Sequence, residues 1–351
     1  MERDVNVFEY MREYDFEQLV FCQDAASGLR AVIAIHSTAL GPALGGTRMW
    51  SYASEDEAVL DALRLARGMS YKSAVAGLPL GGGKAVIIGD PARDKSEALF
   101  RAYGRFIHRL NGIYITAEDV CTCPEDMDLI RMETCWVQGT SSGPGGDPSP
   151  YTARGVMQGI RAAFRYLEGD DSLQGRTVAV QGLGAVGRRL CRLLLDQGAR
   201  LAGCDIDPGR CREAQALGVR VVDPEEIYRV PCDVFAPCAM GGVINDSTVG
   251  ILRSRIVAGG ANNVLERDEH AKALQDRGIL YVPDYVINAG GVISVGSEVE
   301  GFEQARVLQR VDGIHDTCLE ILRKARAEGV PTLAAANRIA EERMARKRDL
   351  G

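Results

Sequence analysis

The sequence predicts an α/β protein made of two domains. Its 351 residues exceed the size at which one hydrophobic core usually stops growing, so a second core is expected. Short apolar runs typical of strands alternate with amphipathic helical patterns, which is typical of sheets covered by helices. A glycine- and proline-rich stretch at 139–150 interrupts this alternation and cannot belong to a regular element. We therefore expect a first domain at 1–138, a hinge at 139–150, a second domain at 151–325, and a C-terminal helix at 326–351 that returns to the first domain.

The composition favours a soluble globular protein and argues against two classes of partner. Hydrophobic residues make up 46% of the chain and charged residues 25%, close to the usual globular mixture. No apolar stretch approaches the roughly 20 residues that cross a bilayer, so no membrane partner is expected. The net charge of −7 is opposite to the basic surface typical of nucleic-acid binding. The N-terminal residues lack the pattern of a secretion signal, so we expect a cytoplasmic protein with a small-molecule substrate.

The ten cysteines indicate neither a disulfide framework nor a metal site. They are scattered along the chain and include no CxxC pair, so reduced thiols are expected. Cys121, Cys123 and Cys135 lie close in sequence, but no histidine is near them and their spacing is not that of the usual zinc fingers. We predict no metal.

In the first part of the chain, the pattern predicts three strands and one clearly delimited helix. The helix begins at Ser54, which forms a capping-box pattern with Glu57. It carries Lys72 at its end. The predicted strands are Leu29–His36, Ala85–Ile88 and Tyr114–Ala117.

The second domain has the pattern of a doubly wound parallel sheet with a dinucleotide site. The motif GLGAVG follows an apolar strand and opens a helix, so its glycines allow a tight turn and a close approach of backbone N–H groups to a pyrophosphate. The predicted cofactor contacts in this motif are Gly182, Gly184, Ala185, Val186 and Gly187. Asp205 ends the next strand, 23 residues after Gly182, and suits the ribose hydroxyls of NAD. A Rossmann-type domain that binds NAD is expected, with NADP as the alternative if Arg210 reaches a 2′-phosphate.

Two lysines and one aspartate are the candidates for catalysis. Lys84 follows three glycines at the start of an apolar strand, and Lys72 ends the preceding helix. If both amines face one buried pocket, burial and mutual repulsion lower the pKa of each, which suits Lys84 to be a general base. The alternative is that Lys84 reaches solvent from a strand end. Asp119 follows a predicted strand and suits the edge of a cleft, with a helix cap or a surface acid as the alternative.

Seven motifs in order along the chain carry a family resemblance: GPALGGTRMW, LARGMSYK, LPLGGGKAVIIGDP, LNGIYITAEDV, AVQGLGAVG, FAPCAMGG and PDYVINAGGVI. Together they resemble the glutamate/leucine/phenylalanine/valine dehydrogenase family over nearly the full length. In that family an L-amino acid is oxidised by NAD to an imino acid, which water converts to the 2-oxo acid and ammonium. The resemblance implies this reversible reaction, an active-site cleft between the two domains, and a homo-oligomer from dimer to octamer.

The resemblance also implies roles for individual residues. Lys72 would hold the substrate carboxylate, Lys84 would activate water as the base, and Asp119 would exchange protons with the α-amino group. The remaining implied contacts are Thr152 and Asn288 near the nicotinamide, and Asn262 near both its ribose and the substrate.

An implied apolar pocket determines the expected substrate. Its residues are Leu44, Gly46, Met69, Ala117, Val292 and Val295. Glutamate-specific relatives carry lysine at the position of Leu44, so a γ-carboxylate would lose its charge partner here. Relatives acting on phenylalanine tend to have glycine at the position of Ala117 and leucine at that of Val292. We expect a branched-chain aliphatic L-amino acid (leucine, valine or isoleucine). The alternatives are an aromatic amino acid (phenylalanine or tryptophan), a non-catalytic NAD-binding protein, or ordinary core positions for these side chains.

Three stretches depart from the usual family pattern. The chain has Gly260 in AGGANNV where relatives usually read AGAANNQ, and SVGSE at 294–298 where they read NVADE or QVADE. Cys121 and Cys123 replace the more usual glycine and threonine. The catalytic candidates are unchanged, so these departures bear on substrate preference more than on the reaction.

Overall fold

A computed structural model of the protein describes residues 6–348. The chain forms two compact units. The first contains the chain up to Gly146, together with Val295–Phe302 and the chain from Ala340, and the second contains Asp147–Ser294 and Glu303–Ile339. The boundary after Gly146 lies inside the stretch interpreted as a hinge. Nothing in the sequence pattern indicated that Val295–Phe302 packs with the first unit.

The first unit is a five-stranded sheet with helices on both faces. Its elements are α1 (Val7–Tyr14), β1 (Gln18–Asp24), β2 (Leu29–Ser37), β3 (Ala43–Trp50), α2 (Glu55–Val75), β4 (Gly81–Ile88), α3 (Glu97–Arg109), β5 (Tyr114–Glu118) and α4 (Pro124–Arg131). In the strand order β1-β2-β4-β3-β5, β2 is antiparallel to β1 and β4, whereas β3 is parallel to β4 and β5. The predicted helix start is confirmed, because Ser54 is the N-cap and its Oγ accepts the N–H of Glu57 at 3.1 Å.

Side chains of the central strands alternate between two hydrophobic cores. Ala85 of β4 and Met49 of β3 belong to the core formed with α3 and α4, whereas Val86 packs against α2. Neighbouring residues of a strand point to opposite faces of the sheet. Lys84 and Arg48 therefore lie on the face that α2 covers.

The three glycines before Lys84 lie inside β4 and are buried. The predicted strand Ala85–Ile88 therefore begins four residues too late, and Lys84 lies within the strand and not at its start. A Cβ on Gly82 would lie 2.0 Å from the backbone nitrogen of Ser70, and one on Gly81 would lie 2.0 Å from the carbonyl oxygen of Ser37. Glycine is required here because β4 packs closely against α2 and β2.

A buried hydroxyl network joins β3, β5 and α3 on the opposite face. Thr47 Oγ1 lies 2.7 Å from the hydroxyl of Tyr103 and 2.6 Å from Oγ1 of Thr116. All three side chains are fully buried, so each hydroxyl depends on the others for its hydrogen bonds.

We expect Thr47→Val to destabilise the first unit by about 1–3 kcal/mol, because it leaves buried hydroxyls without a partner. Both tryptophans of the chain, Trp50 and Trp136, lie in this unit, so urea unfolding followed by tryptophan fluorescence reports on it. Thr47→Ser keeps the hydroxyl and is the matched control. Equal unfolding curves for the valine and serine variants would contradict the role of the network.

The second unit is a six-stranded sheet covered by helices. Its elements are α5 (Ser149–Glu168), β6 (Thr177–Gln181), α6 (Ala185–Asp196), β7 (Arg200–Cys204), α7 (Pro208–Ala216), β8 (Arg220–Val221), a 3₁₀ turn (Ile227–Arg229), β9 (Cys232–Pro237), β10 (Ser254–Val257), α8 (Glu269–Asp276), β11 (Leu280–Tyr281), α9 (Asp284–Ile287), α11 (Gln304–Asp312) and α12 (Ile314–Glu328). Two further helices, α10 (Gly290–Val299) and α13 (Thr332–Arg348), have residues in both units.

The strands of the second unit are all parallel, in the order β11-β10-β9-β6-β7-β8. The chain runs from β6 outward through β7 and β8, and then returns to the other side of β6 with β9. Ligands of such sheets bind at the carboxyl ends of the strands, where the strand order reverses. The predicted doubly wound sheet is confirmed, and the reversal point lies directly beside the glycine motif.

From Gly301 onward the sequence pattern predicts two helices separated near residues 329–332, whereas residues 301–348 form three helices. The additional break lies at Gly313, between α11 and α12. Glycine weakens a helix by about 1 kcal/mol relative to alanine, and the prediction carried one helix through it. No helix among residues 6–348 combines the length and the apolar composition needed to cross a membrane.

Candidate active site

Lys84 and Asp119 form the centre of the candidate site in the first unit. Lys84 is the fourth residue of β4, and its side chain is only 6% exposed. Asp119 directly follows β5. The Nζ of Lys84 lies 2.8 Å from Oδ2 of Asp119. The structure thus brings together the two residues predicted to be catalytic, and the side chain of Lys84 does not extend into solvent.

Gly46 permits Asp119 to approach β3. A Cβ on Gly46 would lie 2.4 Å from the carbonyl oxygen of Glu118 and 2.9 Å from Cβ of Asp119. Thr122 fixes the turn that follows, because its Oγ1 accepts the N–H of Asp119 at 2.9 Å and donates to the carbonyl oxygen of Thr47 at 2.8 Å. The position of Asp119 is therefore set by β3 as well as by β5.

Arg48 is a third charged group at this site. Its Nε donates to Oδ2 of Asp119 at 3.1 Å, and its Nη1 donates to Oδ2 of Asp61 on α2 at 3.0 Å. The hydroxyl of Tyr52 donates to the same oxygen of Asp61 at 2.6 Å. Two cations and two carboxylates therefore alternate in the order Lys84, Asp119, Arg48, Asp61.

This arrangement shifts the pKa of both catalytic candidates. Burial is the largest effect on the pKa of Lys84 and lowers it. The negative charge of Asp119 raises this pKa, the positive charge of Arg48 lowers it further, and the net result is a lowered pKa. Burial acts to raise the pKa of Asp119, but the positive charges of Lys84 and Arg48 outweigh it, so this pKa is also lowered. Asp119 is therefore ionised at neutral pH, and Lys84 loses its proton more readily than an exposed lysine does.

Lys72 lies in the last turn of α2 and is half-buried. The sequence pattern attributed a lowered pKa of Lys84 to burial and to the charge of Lys72. Burial is indeed the main cause, but the main like charge is that of Arg48. The contact of Lys72 with a substrate carboxylate stays a prediction.

The residues predicted to bind the substrate side chain are distributed over both units. In the first unit, Leu44 and Ala117 are buried, and Gly46, Met69 and Val295 are partly buried; Val292 and Asn262 belong to the second unit. A Cβ on Gly296, which follows Val295, would lie 2.9 Å from Cδ1 of Leu80 and 3.8 Å from Cδ2 of Leu44. The SVGSE departure thus lies beside a residue of the predicted pocket.

The glycine motif of the second unit forms a tight turn between β6 and α6. Gly182 has a φ of +92°, and Gly184 is the N-cap of α6. A Cβ on Gly187 would lie 1.9 Å from the carbonyl oxygen of Gly182, whereas one on Gly184 would meet no atom nearer than Nη1 of Arg210, at 3.7 Å. Packing therefore requires Gly187, and Gly184 leaves open space at the helix N-terminus. The first turn of α6 contains the other two predicted contacts, Ala185 and Val186.

Asp205 follows β7 and is bonded to this turn. Its Oδ2 accepts the N–H of Leu183 at 2.7 Å, and its Oδ1 accepts the N–H of Asp207 at 2.9 Å. Nη1 of Arg210 lies 3.6 Å from Oδ2 of Asp205. Burial acts to raise the pKa of Asp205, but these hydrogen bonds and Arg210 lower it overall. An ionised carboxylate therefore lies beside the turn, with one arginine next to it.

Asn288, Asn262 and Thr152 all belong to the second unit. Nδ2 of Asn288 donates to Oδ1 of Asn262 at 2.7 Å. Oδ1 of Asn288 is buried and has no hydrogen-bond partner, and such atoms are rare unless they bind a ligand or water. Thr152 lies in the first turn of α5, where its Oγ1 donates to the carbonyl oxygen of Pro148 at 3.2 Å.

The interpretation of the sequence missed four residues at these two sites. Arg48 and Asp61 complete the charged network, and a signal existed for Arg48, which stands two residues after Gly46 and so shares its face of β3. Ile206 and Met240 are apolar, yet their side chains are 91% and 76% exposed. They follow β7 and β9, the two neighbours of β6. An apolar residue two or three positions after the end of each strand was the available signal.

Family models match almost the whole chain. Residues 16–136 match the model described as Glu/Leu/Phe/Val dehydrogenase, dimerisation domain. Residues 147–222 and 208–350 match the model described as Glutamate/Leucine/Phenylalanine/Valine dehydrogenase. The chain belongs to this family. It is therefore an amino-acid dehydrogenase, an enzyme class that uses a nicotinamide cofactor, with a first domain of the dimerisation type and a Rossmann-like second domain.

Individual members of this family are similar to this chain over nearly its full length. The leucine dehydrogenase of Thermoactinomyces intermedius is 55% identical, over 97% of this chain and 94% of that protein. The valine dehydrogenase of Streptomyces coelicolor is 53% identical, over 95% of this chain and 93% of that protein. The crystal structure of L-tryptophan dehydrogenase from Nostoc punctiforme has a TM-score of 0.89 at 45% identity, and the match covers 97% of this chain and 99% of that chain.

We expect Gly184→Ala in this dehydrogenase to weaken NADH binding without destabilising the second unit. The added methyl group would meet no protein atom nearer than 3.7 Å, but it would occupy space that the predicted pyrophosphate site at the helix N-terminus requires. The NADH affinity, measured by fluorescence titration, should fall by about tenfold or more, which corresponds to a loss of about 1.4 kcal/mol.

Gly187→Ala is the comparison for this experiment. Its methyl group would lie 1.9 Å from the carbonyl oxygen of Gly182, so it should lower both the NADH affinity and the thermal midpoint. Wild-type NADH affinity in the Gly184→Ala variant would show that the turn does not bind the cofactor.

Proposed function

We propose that this protein catalyses the reversible, NAD-dependent oxidative deamination of a branched-chain aliphatic L-amino acid to the 2-oxo acid, ammonium and NADH. The observation that carries the proposal is the pair formed by the buried Lys84 and the partly buried Asp119, whose Nζ and Oδ2 atoms are 2.8 Å apart. A buried amine with a lowered pKa beside a carboxylate suits proton transfer near neutral pH. The similarity to proteins named leucine and valine dehydrogenase supports the class of substrate.

Three residues perform the acid–base steps in this proposal. The ammonium group of Lys72 binds the substrate carboxylate. Asp119 takes a proton from the α-ammonium group, because the nitrogen needs a free electron pair when hydride leaves the α-carbon. Neutral Lys84 then takes a proton from the water that attacks the C=N carbon. Asp119 returns its proton to the nitrogen of the resulting amino alcohol. The C–N bond then breaks as the carbonyl group forms, and the departing ammonia takes the hydroxyl proton and becomes ammonium. The proton on Lys84 is the one that the overall reaction releases to solvent.

The residues of the second unit fit a nicotinamide dinucleotide, whose ring supplies the hydride acceptor when it is bound. Open space at Gly184 and the N-terminus of α6 suit a pyrophosphate. The buried Oδ1 of Asn288 lacks a donor, which a primary amide provides. The ionised carboxylate of Asp205 accepts hydrogen bonds from ribose hydroxyls and repels a 2′-phosphate. We therefore propose NAD, with Arg210 as the basis of the NADP alternative.

The buried side chains Leu44 and Ala117 support an aliphatic substrate. They offer no cation to a γ-carboxylate, so the free energy that this group loses on desolvation would not be compensated. The shape and size of an apolar wall discriminate aliphatic side chains by about 1–3 kcal/mol for each methylene group. Branched aliphatic side chains match this chemistry.

An aromatic L-amino acid is the second candidate substrate. Gly296 favours it, since relatives usually have alanine at this position and the chain therefore lacks one methyl group beside Leu80 and Leu44. The similarity to a tryptophan dehydrogenase structure agrees with it. Ala117 opposes it, because its methyl group is absent from many relatives that act on phenylalanine.

We further propose that the protein is a cytoplasmic homo-oligomer. The first unit matches a model described as a dimerisation domain, which supports self-association. All ten cysteines are free thiols in the structure, including the exposed Cys121 and Cys135. Free thiols are the usual state in a reducing compartment.

We expect Lys84→Met to lower kcat with L-leucine and NAD by about 10²-fold or more, the usual contribution of general-base catalysis. NADH formation at 340 nm measures the rate. Lys95→Met is the matched control, since Lys95 also contacts an aspartate, Asp126, in the first unit. Activity of the Lys84 variant within tenfold of wild type would refute its role as the base.

We expect a panel of L-leucine, L-valine, L-isoleucine, L-phenylalanine and L-tryptophan to give the highest kcat/KM with an aliphatic member. Gly296→Ala should lower the ratio of leucine to valine by about tenfold, because Leu80 must yield to the new methyl group and narrows the site for the longer side chain. Gly68→Ala on α2, whose methyl group would meet open space, is the control. If the wild type has its highest kcat/KM with L-tryptophan or L-phenylalanine, the aliphatic substrate is wrong and the aromatic one is correct.

A further inference from the structure

Arg48 has no role in the acid–base steps described above, although it contacts one of their residues. We propose that Arg48 is a positioning residue of the reaction: it holds the Asp119 carboxylate against the Lys84 amine, and Asp61 holds Arg48 in turn. This proposal rests on the roles proposed for Lys84 and Asp119.

The guanidinium group of Arg48 is anchored on two sides. Nε contacts Asp119 at 3.1 Å, and Nη1 contacts Asp61 at 3.0 Å. The Asp61 oxygen that accepts this bond also accepts the Tyr52 hydroxyl at 2.6 Å, so Asp61 is itself fixed. A guanidinium group donates in a rigid planar fork. Its contact with Asp61 therefore determines the direction from which it approaches Asp119.

Oδ2 of Asp119 accepts from two cations at once, Lys84 Nζ at 2.8 Å and Arg48 Nε at 3.1 Å. Two donors on one oxygen fix the rotation of the carboxylate about its Cβ–Cγ bond. Proton transfer needs donor and acceptor within about 2.6–3.2 Å of each other. Without Arg48, the carboxylate is free to rotate, and the geometry for proton exchange is populated only part of the time.

Arg48 also affects the protonation of Lys84. The charged and titratable groups that act on this amine are Asp119 after β5, Arg48 on β3, and Asp61 on α2 with Tyr52 bonded to it. Asp119 and Asp61 act to raise the pKa of Lys84, and Arg48 lowers it. Removal of Arg48 therefore raises the pKa of Lys84. Because the base must be neutral, the acid limb of the pH profile moves to higher pH.

The main experiment compares kcat/KM for L-leucine as a function of pH in wild type, Arg48→Met, Arg48→Lys and Asp61→Asn. Arg48→Met should lose about tenfold or more near neutral pH, and its acid limb should lie at higher pH. Arg48→Lys should be more active than Arg48→Met, since lysine keeps the positive charge but lacks the planar set of donors of a guanidinium group. Asp61→Asn should lower kcat/KM less than Arg48→Met does, and its acid limb should move to lower pH, because it removes a negative charge that raises the pKa of Lys84.

Arg101→Met is the matched control for these variants. Arg101 lies on α3 in the same unit, and it too contacts two carboxylates, Glu133 through Nε at 2.7 Å and Glu97 through Nη1 at 3.1 Å. It should change neither the rate nor the pH profile. Thermal unfolding of all variants separates loss of stability from loss of function.

A second measurement does not depend on turnover. Competitive labelling with acetic anhydride, followed by mass spectrometry of the peptide that contains Lys84, reports the neutral fraction of this amine at each pH. Arg48→Met should shift the labelling curve to higher pH. If the wild type deaminates none of the amino acids tested, the proposed function fails, yet this curve still tests whether Arg48 acts on Lys84.

If Arg48→Met loses activity while its pH profile and its labelling curve stay at the wild-type positions, the ion pairs of Arg48 serve only the stability of the structure. Wild-type kcat/KM in this variant would exclude a positioning role altogether. Either result overturns the proposal.

Discussion

The burial of the Lys84 amine is the constraint on which much of the first unit depends. A charged group removed from water is costly unless it is paired and hydrogen-bonded. Asp119 is the partner, and it reaches the amine only because Gly46 lets the end of β5 approach β3. Gly82 in turn lets β4 approach α2, the helix that carries Asp61. The glycine-rich motifs of this unit are thus explained by close packing around the ion pair of the buried Lys84.

The two units stabilise a partly buried carboxylate in different ways. Asp205 accepts hydrogen bonds from the backbone N–H groups of Leu183 and Asp207, and these donors do not titrate. Asp119 depends on Arg48 and on Lys84, whose pKa is lowered. The charge of Asp205 is therefore constant over a wide pH range, which suits a binding group. The charge of Asp119 is coupled to the proton on Lys84, which suits proton transfer.

The sequence predicted those features whose residues lie close together along the chain. The glycine turn after β6 and the helix cap at Ser54 are local patterns, and both are confirmed. The contact between Arg48 and Asp119 joins residues 71 positions apart, and it depends on β3 lying between β4 and β5. A single sequence does not reveal that order. The start of β4 was misplaced because glycines usually signal a turn, whereas here they lie in a closely packed strand.

The departures from the family pattern near Asp119 do not remove the hydrogen bonds that hold this residue in place. Cys121 has a φ of +60°, in the left-handed region that favours the glycine of other family members and costs another residue about 1–2 kcal/mol. The turn is held instead by Thr122, through its bonds to Asp119 and to Thr47, and neither bond uses the exposed side chain of Cys121. Gly296, by contrast, lies beside Leu44 of the predicted pocket. Variation in this chain therefore affects the predicted substrate pocket through α10, while the groups proposed to move protons keep the environment that lowers their pKa.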